Sequence, residues 1–109
     1  NCIEVLSQID DRKLMNRLVQ TLSSRFKLMR ANAAAVLGLI GDKNSVIPLV
    51  QLLEDRDYEV RQKAAIALGK IADLGATMSL KEALKDSNKE VRQSARWSLD
   101  KIREKSGVF

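Results

Sequence analysis

Apolar residues recur along the chain at the spacing of an amphipathic helix. Between residues 58 and 72, Val60, Ala64, Leu68 and Ile71 follow one another at intervals of four, four and three residues, which places them on one stripe. Short polar stretches such as 41–44 and 55–57 have the length of connections between packed helices. The pattern predicts helices at roughly 2–10, 12–23, 26–40, 44–54, 58–72, 76–85 and 89–105.

The pattern repeats with a period of 31 residues. Segment 60–73 aligns with segment 29–42 before it and with segment 91–102 after it, and Leu18, Leu49 and Leu80 share the same offset. A single helical hairpin cannot bury its apolar stripe, whereas stacked copies close a core between neighbours. The predicted fold class is therefore all-α, a right-handed α-solenoid of stacked antiparallel helix hairpins with about three and a half repeats.

The repeated motif resembles the short HEAT repeats of the phycobilisome-lyase-like subgroup. The residues that carry the resemblance are Val60-Arg61, Ala64-Ala65, Ala67-Leu68-Gly69 and Ile71, preceded by Pro48-Leu49, Leu52-Leu53 and Asp55. The resemblance covers nearly the whole chain, and it implies a curved scaffold. It does not imply one activity, because such repeats serve many unrelated proteins.

The last copy of the motif differs at positions that would face a further repeat. Arg96 stands where the earlier copies have alanine, and Asp100 stands where they have glycine. We therefore expect a charged cap that ends the array near residue 105, with Trp97 lying over that end and shielding it from water.

The length of 109 residues fits one domain, so we expect a single repeat domain over 1–109. The chain opens at Asn1, and its first predicted helix lacks a partner helix, so we also expect it to be a fragment of a longer protein. The lone Cys2 takes the repeat position of two core alanines and cannot form an internal disulfide. Together with the absence of a signal-like or membrane-spanning segment, this predicts a cytoplasmic protein.

Catalytic residues and metal ligands are not expected. The chain has no histidine, so it lacks an imidazole base and any histidine metal ligand. HEAT-like hydroxylases resemble this chain in repeat design, but they depend on iron-binding His-Glu pairs, which this sequence does not contain. The acidic residues Asp55, Asp57 and Glu59 are interpreted as a solvated helix-entry turn. We predict no enzyme activity, no cofactor and no small-molecule substrate.

Five charged residues recur at equivalent repeat positions and could bind a ligand or hold the repeats together. The resemblance implies the structural role, in which an aspartate and an arginine tie adjacent repeats, and we adopt it. This predicted structural ladder consists of Arg30, Arg61, Arg92, Asp55 and Asp86.

A second set of polar residues is a candidate binding stripe. Lys63 and Lys70 are seven residues apart on one helix face, and Lys101 follows Lys70 by one period. Second helices line the concave surface of solenoids, which is the usual binding face. Ordinary solubilising lysines are the alternative explanation. The predicted partner-binding residues are Lys63, Lys70, Ser94, Lys101 and Asn32.

The leading functional hypothesis is a non-catalytic scaffold that binds a protein partner on the concave second-helix face, where the basic stripe would suit an acidic partner. The net charge of +5 keeps sequence-independent nucleic-acid binding open, although no run of five like charges occurs. A third hypothesis comes from the resemblance alone, namely an accessory subunit of a tetrapyrrole lyase-type complex. No membrane association is expected.

Overall fold

The computed structural model describes residues 13–107, and within that range it contains helices and turns but no strand. Helix α1 covers 13–21 of the described chain. The other helices are α2 (Lys27–Ile40), α3 (Val46–Leu52), α4 (Tyr58–Ile71), α5 (Thr77–Ala83) and α6 (Lys89–Ser106). The predicted all-helical fold is confirmed, while the helix expected at 2–10 lies outside the described residues.

The helices form successive hairpins that stack side by side. The hairpins pair α3 with α4 and α5 with α6, and the second helices α2, α4 and α6 pack against one another in sequence order. Leu37 and Leu68, at one repeat position of the second helices, are completely buried. Leu49 and Leu80, at one repeat position of the first helices α3 and α5, are completely buried as well. The 31-residue period therefore corresponds to one hairpin, with the core between neighbouring hairpins.

The first helices are shorter than the sequence predicts. Single 3-10 turns, Lys43–Ser45 and Leu74–Ala76, precede α3 and α5. The side chain of Asp42 accepts a hydrogen bond from the amide of Asn44, and Asp73 does the same for Gly75, each at 2.7 Å. Aspartate bonds to the amide two residues ahead favour a tight turn over the first turn of an α-helix.

Small residues bring the second helices into close contact. A Cβ atom added at Gly38 would lie 2.7 Å from the Cα atom of Ala67, and one added at Gly69 would lie 2.8 Å from that of Ser98. The buried Ser98 hydroxyl donates to the carbonyl oxygen of Ala65 across the same contact. Glycine is thus required at this repeat position wherever another second helix packs on it.

Candidate functional site

The surface of α2, α4 and α6 that points away from the first helices is called here the second-helix face. Between α4 and α6 it contains a groove of about 350 Å³. Ile66 of α4 and Trp97 of α6 give the groove an apolar floor, and they occupy the same repeat position. The remaining lining residues are Gln62, Lys70, Glu90, Gln93 and Ser94.

Trp97 is the largest side chain of this groove and remains 40% exposed. The ammonium nitrogen of Lys101 lies 5.6 Å from the centroid of the indole ring, within the range of a cation–π interaction. The expectation that Trp97 covers the end of the array is therefore wrong. Its ring faces α4 in the groove, because its repeat position lies on the second-helix face.

The structure brings together only part of the predicted binding stripe. Lys70 and Ser94 line the same groove, although Ser94 is only 8% exposed and offers little surface to a partner. Lys101 contacts the Trp97 ring and also lies 3.6 Å from Glu104. Asn32 and Lys63 are exposed on α2 and α4 but do not line the groove.

Helix α2 adds an apolar region that sequence reasoning missed. Leu28 and Leu39 are 70% and 72% exposed. Leu39 occupies the repeat position of Lys70 and Lys101, so this position changes from apolar on α2 to basic on α4 and α6. The signal was present in the alignment of the three copies, where a leucine stands among lysines.

The arginines of the predicted ladder lie at the starts of the second helices. Arg30 donates from Nε and Nη2 to the two carboxylate oxygens of Asp55, at 2.8 and 3.1 Å, and from Nη2 to Asp57 at 2.7 Å. Its Nη1 donates to the carbonyl oxygen of Ser24 at 2.7 Å. Hydrogen bonding to Asp55 raises the pKa of the largely buried Arg30 above its ordinary value, against the lowering effect of burial. The Arg30 guanidinium therefore stays protonated throughout the pH range in which the protein is folded.

Arg61 makes the equivalent contact one repeat later. Its Nε and Nη2 donate to the Asp86 carboxylate at 2.9 and 3.2 Å. Each of these two arginines thus reaches from its own repeat to the turn of the next one, 25 residues ahead. Arg92 donates from Nη1 to the carbonyl oxygen of Asp86 at 2.7 Å and bonds no carboxylate among the described residues.

The acidic turn 55–59 is used for contacts between repeats. Asp55 and Asp57 bind Arg30, while Glu59 lies 3.2 Å from the Lys27 ammonium. Residues 13–107 contain no group of three or more histidine, cysteine or acidic side chains placed to hold a metal ion. No helix in that range is long and apolar enough to cross a membrane.

Comparison with known proteins gives a family and a structural neighbour. The family model for HEAT repeats matches residues 15–100. The structure is similar to human deoxyhypusine hydroxylase, solved in complex with glycerol, with a TM-score of 0.78 and 27% sequence identity over 83% of this chain. The matched region is 32% of that enzyme, so the chain spans about a third of its length. No curated protein matched the sequence.

Proposed function

Because the chain belongs to the HEAT-repeat family, we propose that it is a binding module that docks a protein partner on its second-helix face. HEAT repeats generally serve as protein-interaction scaffolds, since stacked hairpins present a rigid, extended surface. The enzyme to which the structure is similar shows that the same architecture also carries catalysis. For this histidine-free chain we propose a role without catalysis.

The observation that carries the proposal is the groove between α4 and α6. Tryptophan is enriched at the centres of protein interfaces, where a few anchor side chains supply most of the binding energy, and an aliphatic neighbour adds apolar contact area. Trp97 and Ile66 provide that pair, and their repeat position holds them on rigid helices. Rigid presentation lowers the entropy lost on binding.

The surroundings of the groove define the chemistry of the partner. Lys70 lines the groove and Lys101 lies on the indole ring, so a carboxylate of the partner can be bound beside an apolar side chain inserted between Ile66 and Trp97. The exposed leucines of α2 extend the apolar contact along the same face. We therefore propose a segment that combines apolar anchors with acidic residues.

Nucleic-acid binding is less well supported by this surface. Glu90 lines the groove, and Glu59 lies on the same face one repeat earlier, so phosphates would meet carboxylates as well as lysines. Binding through phosphates depends steeply on salt because counterions are released, whereas an interface with an apolar centre responds much less.

The test is affinity capture from a lysate of the source organism with the wild-type chain and the variant Trp97→Ala/Lys70→Glu. The matched control is Met78→Ala, which removes an exposed apolar side chain from the first helix α5. We expect a discrete protein that survives nuclease treatment, is retained by the control and is lost from the double variant. Circular dichroism of all three proteins checks that they remain folded.

Two outcomes would contradict the proposal. Equal recovery of the same partner by the wild type and the double variant would show that the second-helix face is not the docking surface. Recovery of nuclease-sensitive material alone, with affinity that collapses between low and moderate salt, would replace protein binding with nucleic-acid binding.

A further inference from the structure

The ion pairs between neighbouring repeats are formed by residues at equivalent repeat positions. At the start of a second helix, the side chain of Arg30 holds the carboxylate of Asp55, and Lys27, three residues earlier, holds that of Glu59. Both acidic residues belong to the following repeat. Arg61 holds Asp86 in the same way. The start of each of these helices thus binds the first carboxylate of the following turn, and at α2 Lys27 binds a second one.

The start of α6 carries the same pair of cations with their carboxylate-binding atoms unused. Arg92 corresponds to Arg30 and Arg61, and Lys89 corresponds to Lys27. The Nη1 atom of Arg92 donates to the carbonyl oxygen six residues earlier, as it does in Arg30 and Arg61, so the guanidinium is held in the same way. Its Nε and Nη2 atoms have no acceptor within residues 13–107.

A third cation strengthens this site. Arg96 replaces the small alanine of earlier repeats and is exposed beside Arg92. The side chains surround a shallow depression of about 400 Å³ whose lining includes no carboxylate. The lining residues are Leu84, Lys89, Arg92, Gln93 and Arg96, called here the terminal basic site.

Two obvious occupants do not fit. A further hairpin stacked like the others would meet Asp100 and Arg96 where Gly69 and Ala65 allow the backbones to touch. A second copy stacked head to tail would present its turn 24–28, in which Ser24, Phe26 and Leu28 replace the acidic residues of turn 55–59. Neither can bring a carboxylate to Arg92 in the way that Asp55 reaches Arg30.

We propose that the terminal basic site binds an acidic turn of a different protein, with carboxylates spaced as in Asp55, Asp57 and Glu59. The partner's first carboxylate receives two hydrogen bonds from the Arg92 guanidinium, in the bidentate geometry seen at Arg30 and Arg61. A later carboxylate pairs with Lys89, and Arg96 contributes long-range attraction. This surface lies at the α6 end of the described repeats and meets the groove on the second-helix face at Gln93, which lines both.

The test uses a peptide with the sequence of residues 53–60 as the probe, because this segment of the chain contains the acidic spacing that Arg30 and Lys27 recognise. Binding is followed by NMR through the Nε–Hε signals of the arginine side chains of the full chain. We expect the Arg92 signal to shift on titration. A control peptide with every acidic residue replaced by its amide should leave that signal unchanged.

Two sets of variants locate the binding. Lys89→Gln/Arg96→Gln keeps the bond from Arg92 to Asp86, and we expect it to weaken peptide binding roughly fivefold, while Arg92→Gln weakens it roughly tenfold. The charge-matched control Lys13→Gln/Lys43→Gln, at exposed lysines that line neither the groove nor the terminal basic site, should bind the peptide like the wild type. A single cooperative thermal transition that begins above the temperature of the titration shows that each variant is folded.

Three results would overturn the proposal. The first is an equal shift of the Arg92 signal with inorganic phosphate at matched ionic strength, which would show unselective anion binding. The second is no shift of that signal at millimolar peptide. The third is loss of peptide binding in the variant Lys63→Gln/Lys70→Gln, with unchanged binding by the Lys89/Arg96 and Arg92 variants, which would place acidic recognition on the second-helix face and leave the proposed function standing.

Discussion

Arg30 and Asp55 form a largely buried bidentate ion pair, with nitrogen–oxygen distances of 2.8 and 3.1 Å, that joins two adjacent repeats. We predict that Arg30→Met lowers the free energy of unfolding by about 3 kcal/mol, because it leaves the largely buried Asp55 carboxylate without its cation. The unfolding free energy is measured by urea denaturation.

Arg92→Met is the matched control, since it makes the same change at the same repeat position. It removes only the bond to the carbonyl oxygen of Asp86, and we expect a loss of at most about 1 kcal/mol. An equal loss for Arg30→Met and Arg92→Met would show that the carboxylate contact contributes no stability.

Substitutions at the C-terminal ends of α2 and α4 should change the free energy of unfolding in opposite directions. Gly41 and Ala72 occupy the same repeat position and both have left-handed backbone angles, with φ of 76° and 56°. Alanine is strained in this conformation, so Ala72→Gly should raise the free energy of unfolding by roughly 0.5 to 1 kcal/mol. Gly41→Ala should lower it by a similar amount, although no atom lies within 4 Å of the added Cβ. Thermal unfolding of both variants checks the prediction, and a change of the same sign in both would contradict it.

The close approach of α4 and α6 at Gly69 predicts a cost for a single methyl group. Gly69→Ala would place Cβ 2.8 Å from the Ser98 Cα atom and force the two helices apart, which should cost about 1 to 3 kcal/mol. Asp100→Ala makes a change at the same repeat position, where no described second helix follows, and should alter stability by less than about 0.5 kcal/mol. Urea denaturation compares the two, and a tolerated Gly69→Ala would show that the helices separate at little cost.

The fluorescence of Trp97 can report binding in the groove, because Trp97 is the only tryptophan of the chain. A partner docked in the groove should bury the indole, shift its emission to shorter wavelength and protect it from acrylamide quenching. The octapeptide bound at the terminal basic site should leave both signals unchanged, since Trp97 does not line that site. A partner that binds without changing the emission would contradict the assignment of the groove.

The repeat itself could be predicted in detail from the sequence. The 31-residue offset of Leu18, Leu49 and Leu80 indicates that pairs of helices recur, and a hairpin with one apolar stripe has to stack to bury it. The hydrophobic period predicts a helix from residue 44, two residues before α3 begins at Val46, because the Asp42 hydrogen bond that produces the preceding 3-10 turn is too local to change that period.

The candidate surfaces were less predictable, since they depend on the relative position of neighbouring helices. Asp55 precedes Arg61 by six residues, yet the carboxylate that binds Arg61 belongs to Asp86, 25 residues later. Trp97 was expected at the end of the array, and only the packing of α6 on α4 shows that its ring lines a groove. Ser94 was predicted on the binding surface, but the same packing covers most of it.

The side-chain hydrogen bonds between described repeats join residues that are only 25 to 34 positions apart in sequence. Each repeat can therefore acquire its native contacts as soon as the next hairpin has been synthesised, without waiting for a distant part of the chain. A growing polypeptide with this arrangement can fold in the order of its translation, one hairpin at a time.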